Sequence, residues 1–329
     1  MSEAAAPTVV VFTLGGTIAM TRGPDGGITP SLSADALLAG VPGLAAVARI
    51  EAAPVFQMPG ASLTLTDIAT VARRIAQALD AGAAGAVVVQ GTDTIEETAF
   101  VLDILLDTCK PVVVTGAMRG PEAAGADGPA NLLAAATVAA SGSATTGVAV
   151  VLGDTVHAAL HVRKGHTGLP EAFTSAPFGP LGHVVEGRFA QACAVPPRVH
   201  LPLPEREPPP VALMTLGLGD DGRLLPALAD LGFAGAVVAA MGAGHVPKDL
   251  VGPLEDLARQ MPVVLSTRVA GGPVFARTYG FPGSETDLLA RGLLHGGALG
   301  PLKARLLLQA ALTRGAALSE IAELLARYG

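Results

Sequence analysis

From residue 85 to residue 98 the chain reads GAVVVQGTDTIEET. An apolar run, Ala86 to Val89, breaks into Gly91, Thr92, Asp93 and Thr94, and a helix-like stretch begun by Glu96 and Glu97 follows at once. A strand that stops at a glycine and turns straight into a helix is half of a strand–helix–strand unit, and repeated units of that kind build a parallel sheet. Ligands of such sheets bind where strands end and helices begin. Two hydroxyls and a carboxylate at that point suit recognition or catalysis, and they suit the cap of an ordinary helix equally well.

The alternation recurs on both sides. Residues 8–13 (TVVVFT) predict a buried strand stopped by Leu14, Gly15, Gly16 and Thr17. Residues 20–33 hold Gly23, Pro24, Gly26, Gly27 and Pro30, too much glycine and proline for a regular element. They predict a loop, either a lid or a plain surface connection. A second strand is expected at 55–58, and an amphipathic helix at 67–79 capped by Thr66. Residues 96–107 predict a helix apolar on nearly all sides and therefore buried. Strands at 112–115 and 147–152, with a helix from Pro129 between them, complete the run.

The proline-rich stretch PPRVHLPLPEREPPP, residues 196–210, reads as a linker. Beyond it strands are expected at 211–216, 235–240 and 263–267, and helices at 224–231, 249–260 and 301–312, with irregular chain over 271–285. The expected fold is α/β in two domains. A larger N-terminal, parallel-sheet, Rossmann-like domain spans 1–195, and a smaller C-terminal α/β domain spans 211–329.

Composition excludes several classes of function. Half of the 329 residues are hydrophobic, yet aromatic content is 3%, which suits closely spaced helix and sheet layers. The alanine-rich region 130–151 is interrupted by Asn131, Thr137 and Ser141, so it holds no apolar span of membrane length. The opening MSEAAAPT has no positive region and no apolar run before Val9, which predicts no signal peptide and a cytoplasmic home. A net charge of −7 without a basic cluster argues against nucleic acid or an anionic membrane as partner. Cys109 and Cys193 read as buried free thiols, and the seven histidines show no ligand spacing, so no metal is expected. The turn at Thr17 lacks the spacing and lysine of a nucleotide loop, and no GxSxG elbow is present; no cofactor is expected.

Three strand ends carry the polar residues: Gly15-Gly16-Thr17, Gly91-Thr92-Asp93-Thr94 and Thr115-Gly116. In a parallel sheet they share one rim, where glycines let main-chain N–H groups approach an oxyanion. A threonine hydroxyl attacks poorly unless a neighbour takes its proton or stabilises its alkoxide. Asp93 and Lys164, the latter in DTVHAALHVRKG, are the candidates for that work.

These residues carry a resemblance. Thr13-Leu14-Gly15-Gly16-Thr17-Ile18-Ala19 resembles the first signature of the bacterial-type L-asparaginase family, and residues 89–98 (VQGTDTIEET) resemble the second. The likeness continues through VTGAMR (114–119), DGPANL (127–132), GDTV (153–156) and KARLLLQ (303–309). It implies a two-step L-asparagine amidohydrolase, with glutamine as a side substrate left open. Thr17 is then the nucleophile, forming a β-aspartyl ester, and Thr92, Asp93 and Lys164 support proton transfer. Substrate contacts are implied for Gly16, Ser62, Gly91, Thr92, Asp93, Ala117 and His245. The resemblance also implies a homo-oligomer, a dimer or a tetramer of two dimers, in which a neighbour's C-terminal domain completes the site.

The sequence departs from the family pattern at Leu14, where many members have Thr, at Gln90 for His, and at His245 for Asn. Ile28 stands about where the lid loop usually has a tyrosine, and the tyrosines here are Tyr279 and Tyr328. That absence motivates a second reading, a binding or regulatory protein for asparagine or aspartate with weak catalysis. An amidotransferase subunit serving tRNA is disfavoured, because no basic face is visible.

Overall fold

Short runs of β-branched residues form the centre of the protein, buried on both faces as parallel strands require. The structure is a computed structural model, and it describes residues 6–16, 20–22, 28–30, 34–142, 147–194 and 198–328. The chain divides into two compact units, Met1–Leu203 and Pro204–Gly329.

In the first unit the strands are β1 (Thr8–Thr13), β2 (Arg49–Pro54), β3 (Gly85–Val89), β4 (Val112–Thr115), β5 (Val148–Leu152), β6 (Thr155–Ala158), β7 (Gly182–Val185) and β8 (Arg188–Gln191). They lie in the order β8-β7-β6-β5-β4-β3-β1-β2. The five from β5 to β2 are parallel. The last three in sequence extend the sheet antiparallel beyond β5. Helices α1 (Leu65–Asp80), α2 (Ile95–Leu105) and α3 (Gly128–Ala140) connect the parallel strands. Helix α2 is buried over almost its whole length, including Phe100, Leu102 and Ile104.

The second unit repeats the plan on a smaller scale. Strands β9 (Val211–Thr215), β10 (Gly235–Ala240), β11 (Val263–Thr267) and β12 (Leu294–His295) form a parallel sheet in that order. Around them lie α4 (Val251–Ala258), α5 (Glu285–Ala290), α6 (Pro301–Thr313) and α7 (Leu318–Tyr328). No helix among the described residues is long and apolar enough to cross a membrane.

Several sequence expectations need correction. The second strand is Arg49–Pro54 rather than 55–58. Among the described residues it is an edge strand paired with β1 alone, so it tolerates Arg49, Glu51 and Pro54, which hide a strand in a sequence scan. Helix α1 is capped by Thr64, not Thr66: the Asp67 N–H donates to the Thr64 hydroxyl at 3.2 Å and the Thr64 N–H to the Asp67 carboxylate at 2.9 Å. Within residues 20–33, Met20–Arg22 and Ile28–Pro30 pair as a short antiparallel hairpin. Both cysteines are exposed and free, because Cys109 and Cys193 fall in connections, not in elements. The helix expected at 224–231 shrinks to Ala227–Asp230. The expected linker, as far as it is described (198–210), carries neither helix nor strand.

Candidate functional site

Strands β1, β3 and β4 are in parallel register, Thr13 opposite Val89 and Val89 opposite Thr115, so their C-terminal loops leave one rim. Gly15 and Gly16 have φ of 104° and 95°, a region that side chains resist. A Cβ on Gly15 would stand 2.6 Å from the Met58 carbonyl oxygen, and one on Gly16 2.1 Å from the Gly91 nitrogen. The first and second glycine–threonine segments therefore touch main chain to main chain. Thr17 itself lies outside the described residues.

Past Gly91 the chain makes a 3-10 turn, Thr92–Thr94, and enters α2, whose N-terminal end carries partial positive charge. Thr92 is buried and Asp93 exposed. Lys164 arrives from a two-residue strand, Arg163–Lys164, paired antiparallel with Phe173–Thr174. Its Nζ donates to Thr92 Oγ1 at 3.0 Å and to Asp93 Oδ1 at 2.7 Å. The Lys164 side chain is 16% exposed and that of Asp93 68%, so the lysine is largely enclosed while its carboxylate partner faces solvent. The fold thus brings Lys164 within hydrogen-bond distance of Thr92 and Asp93, about 70 positions away, joining three residues grouped as candidates from the sequence.

Two further networks hold the rim, and sequence reasoning missed both. Gln90, fully buried, donates from Nε2 to Thr94 Oγ1 at 3.1 Å and to the Gly91 carbonyl at 3.2 Å, while Thr94 donates to the Gly60 carbonyl at 3.0 Å. The Gly60–Ser62 turn is thereby fastened beside Thr92–Thr94, with Ser62 exposed on it. On the other side, Asp127 accepts the N–H groups of Met118 and Arg119 at 2.9 and 2.8 Å. Asn131 donates to the Gly116 carbonyl and to Asp127 at 2.9 and 3.0 Å, and accepts the Gly153 N–H at 3.0 Å. These two side chains shape the loop that carries the buried Ala117. The DGPANL segment was the available signal for them.

His245 belongs to the second unit. Its Nε2 lies 3.3 Å from Glu285 Oε2, and its ring meets Tyr279 edge-on with centroids 4.8 Å apart. Glu285 is fully buried and accepts the N–H groups of Thr278 and Tyr279 at 2.9 and 2.8 Å. Those bonds hold its carboxyl below the ordinary range against the opposing effect of burial, with His245 adding to them. Among the described residues no group of histidine, cysteine, aspartate or glutamate could hold a metal ion.

Residues 8–193 match the family model described as Asparaginase, N-terminal, and residues 210–325 the one described as Glutaminase/Asparaginase C-terminal domain. The chain belongs to the asparaginase family. It is an enzyme of that family by both domains, and its fold, a large parallel-dominated sheet with a separate small parallel sheet, is the family's fold. It is 37% identical to a protein of Deinococcus radiodurans described as a probable L-asparaginase, over 97% of each chain. It is 33% identical to L-asparaginase 2 of Escherichia coli, over 98% of this chain and 94% of that one. A glutaminase-asparaginase of Pseudomonas fluorescens is 32% identical, over 93% of this chain and 86% of that one. The crystal structure of a probable cytoplasmic L-asparaginase from Campylobacter jejuni superposes with a TM-score of 0.88 at 31% identity, over 98% of this chain and 100% of that chain.

Proposed function

We propose that this enzyme hydrolyses L-asparagine to L-aspartate and ammonia through an ester on Thr17. The observation that carries the reading is the Lys164 ammonium, donating at once to Thr92 and Asp93 beside the Gly16–Gly91 contact. In the first half-reaction the Thr17 oxygen bonds to the side-chain amide carbon and the carbon–nitrogen bond breaks. The Thr17 proton passes by way of the Thr92 hydroxyl to the departing nitrogen, which leaves as ammonia. Lys164 steadies the Thr92 oxygen, and N–H groups at the glycine turns receive the oxyanion. In the second half-reaction water adds to the ester carbon, the bond to Thr17 breaks, and aspartate leaves with Thr17 reprotonated. Asp93, open to solvent, pairs with the substrate's α-ammonium. Ser62, Ala117 and, from a neighbouring copy, His245 complete the substrate's surroundings in this reading.

With no tyrosine between residues 20 and 33, activation of Thr17 rests on the Thr92–Lys164 pair rather than on a lid hydroxyl. Glutamine is longer by one methylene, worth about 1–3 kcal/mol in a pocket, so slower turnover of glutamine accompanies the main activity. The protein works as a homo-oligomer in the cytoplasm, a setting that suits its two exposed free thiols. Ammonia release from L-asparagine by the pure protein tests the reaction. Release from wild type that vanishes in Thr17→Ala is the expected result; no release, or undiminished release from the variant, overturns it. Asparagine that raises the melting temperature without turnover favours a binding protein instead.

A further inference from the structure

An acidic residue in the first turn of a helix is ordinary, but a buried one is not. Glu96 is 8% exposed, and its Oε2 accepts the main-chain N–H of Lys164 at 2.5 Å, across 68 positions of sequence. A carboxylate withdrawn from water needs strong donors in return, and this short charge-assisted bond is one. The bond joins two pieces that each lack what the other has. The segment bearing Lys164 is a two-residue ladder, Arg163–Lys164 against Phe173–Thr174, too short to fix a long side chain by itself. Glu96 stands on α2, the same helix that Thr92 and Asp93 lead into. A carboxylate from the first turn of α2 on the Lys164 nitrogen thus sets the distance between the lysine's main chain and both partners of its ammonium.

We propose that Glu96 is a positioning residue: by clamping the Lys164 main chain to the first turn of α2, it holds Nζ at hydrogen-bond distance from Thr92 and Asp93. The proposal rests on the hydrolase reading for its kinetic test, and a spectroscopic test stands apart from that reading. Glu96 acts through Lys164 and touches no reacting atom, so its effect disappears when Lys164 is gone.

The experiment compares Glu96→Gln, Glu96→Asp and Glu96→Ala in the full chain, alone and with Lys164→Ala. Glutamine keeps an acceptor oxygen of the same reach, aspartate keeps the charge but falls a methylene short, and alanine removes the acceptor. Glu96→Ala is expected to lower kcat about 10²-fold with KM within about threefold, since a displacement of about 1 Å has that effect. Glu96→Gln returns kcat to within about tenfold of wild type, and Glu96→Asp falls between. With Lys164→Ala already present, Glu96→Ala changes kcat by less than about threefold. The chain has four lysines, so 13Cε-lysine labelling reads Lys164 directly. Its resonance is expected to move toward that of a solvated lysine in Glu96→Ala, and partly so in Glu96→Asp, but to stay in Glu96→Gln. Losses that multiply with Lys164→Ala, a glutamine variant as poor as alanine, or an unmoved resonance in the aspartate and alanine variants would overturn the proposal. Should alanine fail to fold, the aspartate and glutamine variants decide by the same criteria. Should wild type release no ammonia, the hydrolase reading falls and the resonance still judges Glu96.

Discussion

Replacing Gly16 with alanine puts one methyl group where two main chains touch. The added carbon would sit 2.1 Å from the Gly91 nitrogen and 2.5 Å from the Gln90 carbonyl carbon, both main-chain atoms that cannot swing aside. The residue would also have to keep φ near 95°. The conformational penalty is about 1–2 kcal/mol, and overpacking adds about 1–3 kcal/mol. For a unit of about 200 residues, each kcal/mol moves the melting temperature by about 2–4 °C, so Gly16→Ala should melt about 5–15 °C below wild type. Gly43→Ala is the matched control: φ is 82° and nothing lies within 4 Å of the added carbon. It carries the conformational penalty alone, about 2–8 °C. Activity separates the two further. Parting the two loops by roughly an ångström should lower kcat/KM about 10²-fold, while Gly43→Ala keeps turnover. Thermal melts and a coupled ammonia assay read both effects. A Gly16→Ala protein that melts within about 2 °C of Gly43→Ala and turns over within about tenfold of wild type would refute the close-contact argument.

Other perturbations test other parts. Lys164→Met removes both hydrogen bonds of the ammonium and should lower kcat about 10²–10³-fold with a smaller change in KM; a loss under about fivefold contradicts the role given to it. Burial pushes the Asp103 carboxyl above its ordinary range, and Arg198 beside it pulls it back. The native state thus keeps that proton to higher pH than the unfolded chain, so the charged form weighs against folding at neutral pH and the penalty fades as pH falls. Arg198→Ala should therefore destabilise by about 3–5 kcal/mol near pH 7 and by less near pH 5, read by denaturant midpoints; an equal loss at both contradicts this. Burial, with His183 adding to it, lowers the His157 imidazole to about 4. Its stabilising effect is whole above the unfolded value of about 6.5 and is lost as pH falls through about 4, roughly 3 kcal/mol in all. His157→Phe should flatten the stability profile across that window, and an unchanged slope counts against the reading.

What the sequence showed, and what it hid, divides along a physical line. Strands β1, β3 and β4 were legible because each is a β-branched run buried on both faces and soon followed by glycine. Their shared rim followed from parallel pairing. The edge strand β2 was not legible, since Arg49 and Glu51 need only one covered face. Strands β7 and β8 are short and half exposed, with little apolar pattern to read. Helix α7 buries Ile321, Leu324 and Leu325 at helical spacing and could have been found. The bonds of Glu96, Asp127 and Asn131 to distant main chain leave no periodic trace at all. A side chain that fastens a loop looks, in sequence, like one that faces water.

The turn between β5 and β6 has a consequence for how the chain can vary. Gly153 and Asp154 both take φ near 57–58°, the conformation of a two-residue hairpin turn that sets pairing without slack. The turn is pinned from outside by Asn131. Ten positions after Asp154, the Lys164 N–H is pinned again by Glu96. The stretch between is a strap buckled at both ends, and its length is part of the chemistry. An extra residue there would flip β6 or throw the lysine out of reach, whereas surface connections elsewhere take insertions readily. Scanning single-residue insertions along residues 155–163 would measure how tight the strap is.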